Sequence, residues 1–194
     1  MELIAQGRRA NIFCSTTATW ARVATKVARM PEARDAIRKE ATLLQRLMEL
    51  GSSFTPQLVS IEDAQFSYLW IEGKTRKEEF PLLPPAQQWT CTHQLLDEAY
   101  QLDQRGIIHG ELDRPTKNIL IDSSHKVWLI DFERGWRGDT TGKNMRHLAQ
   151  RLHRAQILPL ESLRPLADLP LEKLYSHLSH YLQTFYSSQA HTHA

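Results

Sequence analysis

Net charge is almost absent from this chain: 24 Lys and Arg stand against 22 Asp and Glu, leaving a formal +2. That excludes nucleic-acid binding through bulk charge and leaves nucleic acid as a partner only through a clustered basic patch. Cysteine is scarce too. Cys14 and Cys91 are the only two, and they lack metal-type spacing, which excludes a disulfide framework or zinc module and points to reduced thiols in a cytoplasmic protein. No apolar run reaches membrane length and residues 1–9 have no apolar core, so neither a membrane partner nor a signal peptide is expected. Internal repeats are missing, and His93, His109, His125 and the two histidines of the tail make no metal set.

What is present is a globular composition, 41% apolar, enough for one domain or two small lobes. Residues 11–14 and 20–27 read as strands around a Ser/Thr-rich turn. Lys26 stands alone in the second, where an ammonium without a partner is costly. Over residues 32–50 apolar side chains recur at Ile37, Ala41, Leu44, Leu47 and Met48, the stripe of a helix ended by Gly51. Glu40 rides beside that stripe and can face Lys26; the alternative is one more solvated charge beside Arg38, Lys39 and Glu49. Residues 54–61 and 65–71 read as two more strands, and the charged run 74–79 with Pro81, Pro84 and Pro85 as a linker. A helix is expected over 85–103 with Trp89, Leu96, Ala99 and Leu102 inward. Others are expected over 143–154 and over 171–185, striped by Leu174, Leu178, Tyr181 and Leu182, with residues 187–194 a frayed tail.

The stretch from Ile107 to Gly135 organises the rest. Residues 118–121 and 127–130 are short apolar runs about the turn 122–125, a β-hairpin. Its open ends bring Asn118, entering the first strand, near Asp131, leaving the second, with Asp113 five residues before the amide. An amide and a carboxylate converging at a sheet end are what a Mg²⁺-bound phosphate needs, since that ion keeps several waters and takes one or two protein carboxylates. The alternative for Asp131 is a cap on the next turn.

These residues resemble the protein-kinase fold. His109-Gly110-Glu111 with Asn118 is similar to the catalytic loop, and Asp131-Phe132-Glu133 to the metal-binding D-F-G element. The variants are those of small atypical kinases: the archaeal-type predicted Ser/Thr kinases, related to RIO-type kinases and to the kinase subunit of the tRNA-modifying KEOPS complex. The resemblance implies an α+β, reduced bilobal protein-kinase-like fold, with a small antiparallel-sheet N-lobe carrying one helix over residues 1–72 and a mainly helical C-lobe over 73–194. It implies an ATP-dependent Ser/Thr protein kinase that binds ATP and Mg²⁺ between its lobes and acts on a protein substrate or partner subunit.

The implied roles follow the motif order. Lys26, paired with Glu40, holds the α- and β-phosphates; backbone groups near Ile71 and Glu72 meet the adenine; Asn118 and Asp131 hold the metal. The phosphate-covering loop departs from G-x-G-x-x-G: Gln6-Gly7-Arg8-Arg9-Ala10-Asn11 has one glycine, so Gly7 and Ala10 would provide the close approach and Arg8 or Arg9 added charge. The base is divided between two residues. Glu111 follows His-Gly as the small archaeal-type kinases have it, whereas Asp113 has the five-residue spacing to Asn118; Glu111 is favoured, Asp113 stays a contender, and Lys117 is a candidate for neutralising the transferred phosphate. Glu133 replaces the family glycine, and no A-P-E element follows, so a peptide platform is mostly missing. Arg134, Trp136 and Arg137 are the candidates for touching a substrate or RNA, against a solvated loop. The alternatives are an ATPase or switch subunit, a small-molecule phosphotransferase, and a nucleotide-binding pseudokinase scaffold.

Overall fold

The computed structural model describes residues 1–18, 21–113, 117–139, 141–163, 166 and 168–192, with the side chains of 189–192 excepted. It is an α+β structure: a five-stranded antiparallel sheet and a mostly helical remainder. The chain divides into two compact units, residues 1–72 with 128–136, and residues 73–127 with 137–194. Residues 128–136, assigned from sequence to the second lobe, thus pack with the first unit.

Unit 1 holds β1 (Glu2–Gln6), β2 (Ala10–Thr16), β3 (Arg22–Ala28), α1 (Arg34–Glu49), β4 (Leu58–Ile61) and β5 (Gln65–Leu69). The sheet order is β1-β2-β3-β5-β4, so β3 lies at its centre. Its register sets Lys26 opposite Ile12 on one side and Phe66 on the other. Helix α1 packs on β3, β4 and β5 through Ile37, Ala41, Leu43, Leu44 and Leu47, the stripe that a 3.6-residue period requires. Met48, expected in that stripe, is 40% exposed, because Leu43 takes the inward position instead. Strand β1 was not expected: all five of its residues are exposed, so no alternation marks it, and backbone pairing to β2 holds it at the sheet edge. Trp20, expected to open the next strand, lies outside the described residues.

Unit 2 begins with β6 (Gly73–Thr75) and α2 (Arg76–Glu79), where the charged run had suggested a linker. The correction has a local cause. The Thr75 N–H and hydroxyl both donate to Glu78 Oε2, at 3.1 and 2.7 Å, the S/T-x-x-E capping box that starts a helix. Then come α3 (Pro85–Gln104), β7 (Ile107–Ile108), β8 (Ile119–Asp122), β9 (Val127–Leu129), β10 (Trp136–Arg137), α4 (Lys143–Arg154), α5 (Leu160–Leu163) and α6 (Leu171–Thr192), with β9 and β10 crossing the division between units. Strand β6 pairs with β8 so closely that a Cβ on Gly73 would lie 2.9 Å from the Ile121 carbonyl oxygen. The turn after β8 is closed by Asp122, whose carboxylate accepts from the N–H groups of Ser124 and Lys126 at 2.9 and 3.0 Å, as Asx turns do.

Helix α3 packs against α4 and α6, burying Leu96, Ala99, Leu102, Leu174, Leu178 and Leu182 completely. Trp89 and Tyr181 are half-buried. Helix α6 runs on to Thr192 rather than ending at Phe185, since no glycine or proline interrupts residues 186–192. Among the described residues no helix is long and apolar enough to cross a membrane.

Glu98 on α3 is 6% exposed, and its Oε2 has no hydrogen-bond partner among the described residues. Burial, against the pull of Lys126, pushes this carboxyl well above the usual carboxylate range. The folded state therefore keeps a proton that the unfolded chain releases. That contribution to stability is complete below the ordinary value of 4.5 and is lost as pH rises toward the folded-state value. Urea titrations should accordingly find Glu98→Gln gaining stability over the wild type between about pH 4.5 and pH 8; equal stability differences at both ends would show that Glu98 ionises freely in the fold.

Candidate functional site

Strand β3 buries four successive residues, Val23 to Lys26, so the lysine shares the interior with apolar neighbours. Only counter-charges make that tolerable. Lys26 Nζ donates to Glu40 Oε2 at 2.6 Å and to Asp131 Oδ1 at 2.8 Å. Glu40, 2% exposed, also accepts the Phe132 N–H through Oε1 at 3.2 Å. The residue beside the helical stripe thus joins a sheet strand to a segment more than ninety positions away. Burial opposes the charge on Lys26, but Glu40 and Asp131 outweigh it and hold the ammonium above its ordinary value. Two carboxylates face that one ammonium, and burial, against the pull of Lys26, pushes the Glu40 carboxyl up to about 7, so an excess of negative charge grows as Glu40 ionises.

Asp131 carries the accessible share of that excess, its side chain being 37% exposed. It sits in the left-handed region, φ 65° and ψ 63°, a conformation that Asp tolerates better than most residues and that costs about 1 kcal/mol. The turn redirects the chain so that Phe132 is wholly buried while the carboxylate faces Lys26. A half-exposed hard oxygen beside an ammonium suits a magnesium-bound phosphate: the oxygen would hold the cation and the ammonium the phosphate.

The turn between β1 and β2 is built differently from a glycine-rich loop. The Gly7 N–H donates to the Ala10 carbonyl at 2.8 Å, and a Cβ on Gly7 would lie 3.1 Å from that oxygen. Ala10 is buried. Arg9 on this turn forms an ion pair with Glu133. At the far end of β5, Ile71 is buried, and the backbone N–H and C=O groups of Ile71 and Glu72 have no hydrogen-bond partner among the described residues. The Glu72 carboxylate accepts from Arg22 Nη1 at 2.6 Å and Trp70 Nε1 at 2.9 Å.

In unit 2, Asn118 is buried and donates through Nδ2 to Glu111 Oε2 at 2.8 Å. Asp113 faces Arg154, whose Nη1 lies 3.6 Å from its carboxylate and donates to its carbonyl at 3.0 Å. Lys117 is exposed. Residues 114–116, between Asp113 and Lys117, lie outside the described residues. This loop is anchored by two residues the sequence reading missed. Asn144, fully buried, donates to Asp103 Oδ1 at 2.9 Å and the Ile107 carbonyl at 2.8 Å, and accepts the His109 N–H at 3.0 Å. Asp103 in turn accepts the N–H groups of Asn144 and Met145, both at 3.0 Å, supplying the negative charge that a helix N-terminus favours. His109 is completely buried.

Lys26, Glu40 and Asp131 therefore meet in unit 1 and Glu111 and Asn118 in unit 2, with Asn118 and Asp131 in different units. Arg9–Glu133 and Asp103–Asn144 left no periodic signal; the only hint was an acid at the end of one helix and a helix start without a Ser or Thr cap in the next. No group of three or more His, Cys, Asp or Glu residues able to hold a metal occurs among the described residues. No family model matches the chain, and no curated protein matches it.

Lys26→Met should destabilise the fold by about 3–5 kcal/mol, because it strands Glu40 in the interior. Adding Glu40→Leu should recover about 1–3 kcal/mol of that loss. A double-mutant cycle in urea reads both values, and strict additivity would mean that the pair is not coupled.

Proposed function

We propose that the chain is an ATP-dependent phosphotransferase with a reduced bilobal protein-kinase-like fold, transferring the γ-phosphoryl group of ATP to a protein hydroxyl. The observation that carries this reading is the Lys26 ammonium held between Glu40 and Asp131. An isolated structural ion pair needs one partner; a lysine shared between a fixed buried carboxylate and a half-exposed one keeps its geometry when the second turns to a ligand. The unbonded backbone of Ile71 and Glu72 supports an adenine contact.

In this reading Lys26, positioned by Glu40, neutralises the α- and β-phosphates. Asp131 and Asn118 are the residues that would hold Mg²⁺, and the ion would supply neutralisation of phosphate charge. Glu111 accepts the proton of the acceptor hydroxyl as that oxygen bonds to the γ-phosphorus and the bond to the ADP oxygen breaks. Glu111 is preferred over Asp113 because it is bonded to Asn118, whereas Asp113 is engaged by Arg154. Asn118 spends its amide nitrogen on Glu111, and its carbonyl oxygen is not used in that bond. Catalysis would come from positioning and charge neutralisation.

One observation favours a second reading, a nucleotide-binding scaffold without turnover: the Gly7 N–H is already spent on the Ala10 carbonyl, so a backbone clamp on phosphate is weaker here than in a glycine-rich loop.

Following the γ-label of Mg·ATP separates the two. Label should reach protein with the wild type, fall at least about 100-fold with Asp131→Ala, fall about 100-fold with Glu111→Gln, and change less than about 3-fold with Asp113→Asn. Label released only as free phosphate would make the chain an ATPase, and bound nucleotide whose label never moves would favour the scaffold.

A further inference from the structure

The turn between β1 and β2 is held by three hydrogen bonds to its backbone. Gly7 N–H is bonded to the Ala10 carbonyl, Arg29 N–H to the Arg9 carbonyl at 2.9 Å, and Arg29 Nη1 to the Gly7 carbonyl at 2.8 Å. A cation of this turn with a fixed position is the Arg9 side chain, 38% exposed. Its guanidinium is held by Glu133, two residues beyond the aspartate that holds Lys26. One short segment thus places a carboxylate on each of two cations in unit 1.

Resting on the phosphotransferase reading above, we infer that Arg9 is a phosphate-binding residue acting in place of a glycine-rich clamp, and that Glu133 is an internal stand-in for the phosphoryl group which a nucleoside diphosphate or triphosphate must displace. The chemistry of the exchange is conservative. A guanidinium presents the same fork of N–H donors to a carboxylate and to a phosphate, and the phosphate brings more charge and more acceptor oxygens. The Glu133 side chain is only 18% exposed, so it competes from a prepared position without the entropy cost a free anion bears. The pair would thereby lower nucleotide affinity in the resting protein and release Glu133 when the site fills.

The test measures ADP and adenosine binding to the full chain by titration calorimetry, in EDTA so that no metal can recruit Glu133. Glu133→Gln should tighten ADP about 3- to 10-fold, the range a partly exposed ion pair can impose, and leave adenosine unchanged. Arg9→Gln should weaken ADP about 10-fold and cancel the gain when combined with Glu133→Gln, whereas Lys39→Gln, at an exposed position of α1, should change neither. ADP binding that Glu133→Gln weakens or leaves unaltered would overturn the stand-in; ADP binding unaffected by Arg9→Gln would overturn the phosphate role. If adenosine binds and ADP gains nothing from its phosphates in any variant, this inference fails while a nucleoside site survives. If neither ligand binds any variant, the nucleotide reading fails and takes this inference with it.

Discussion

A buried ammonium is the constraint from which unit 1 is built. Lys26 is 7% exposed at the centre of the sheet, and such a charge persists only with carboxylates brought to it. No neighbour in β3 can supply one, so the chain delivers Glu40 from α1 and Asp131 from a segment 105 residues further on. Glu40 then does two things at once, pairing with Lys26 through one oxygen and fixing the Phe132 N–H through the other. Sheet, helix and returning segment are thus tied at one point, and the left-handed turn at Asp131 is the local strain that lets Phe132 enter the core while the carboxylate stays at the ammonium.

Unit 2 solves a comparable problem with neutral hydrogen bonds around one acid. A two-residue strand such as β7 has little pairing of its own, and the loop after it would drift without further anchors. Asn144 bonds to both sides of it, the Ile107 carbonyl and the His109 N–H, while Asp103 holds Asn144 and caps α4. Every polar atom of the Asn144 side chain has a partner, which is the condition for a buried amide to stabilise rather than weaken a core. The position of Glu111 thus depends on an amide more than thirty residues later in sequence.

What was legible in the sequence was what local pattern encodes. Ile37, Leu44 and Leu47 gave α1 by period, Leu96 and Leu102 gave α3, and a lone lysine in an apolar strand with a glutamate beside a buried stripe gave the Lys26–Glu40 pair. Long-range partners of ordinary polar residues were not legible: Asp103, Asn144, Arg9 and Glu133 look like surface residues until the fold brings them together. Strand β1 was missed because an exposed edge strand shows no alternation. Helix α2 was readable in principle, since the Thr75-x-x-Glu78 spacing is a capping signal, but its charge density read as a linker. The assignment of residues 128–136 to unit 1 depends on tertiary contacts that no window of sequence contains.

Two departures from the kinase-type pattern, a single glycine near the N-terminus and Glu133 where a glycine is usual, are physically one feature. Side chains at Arg8, Arg9 and Ala10 crowd a turn that glycines would leave open to close backbone approach, and the Gly7 N–H is spent within the turn. The Arg9 guanidinium adds positive charge there, and partial burial makes a nearby anion favourable to it. Glu133 supplies that anion from the segment that already supplies Asp131 to Lys26. A glycine at position 133 would remove this carboxylate from Arg9, and a glycine at position 9 would remove this cation from Glu133, so each departure supports the other. On the phosphotransferase reading, their coexistence balances the charge of a turn that relies on a side-chain cation rather than on close backbone approach.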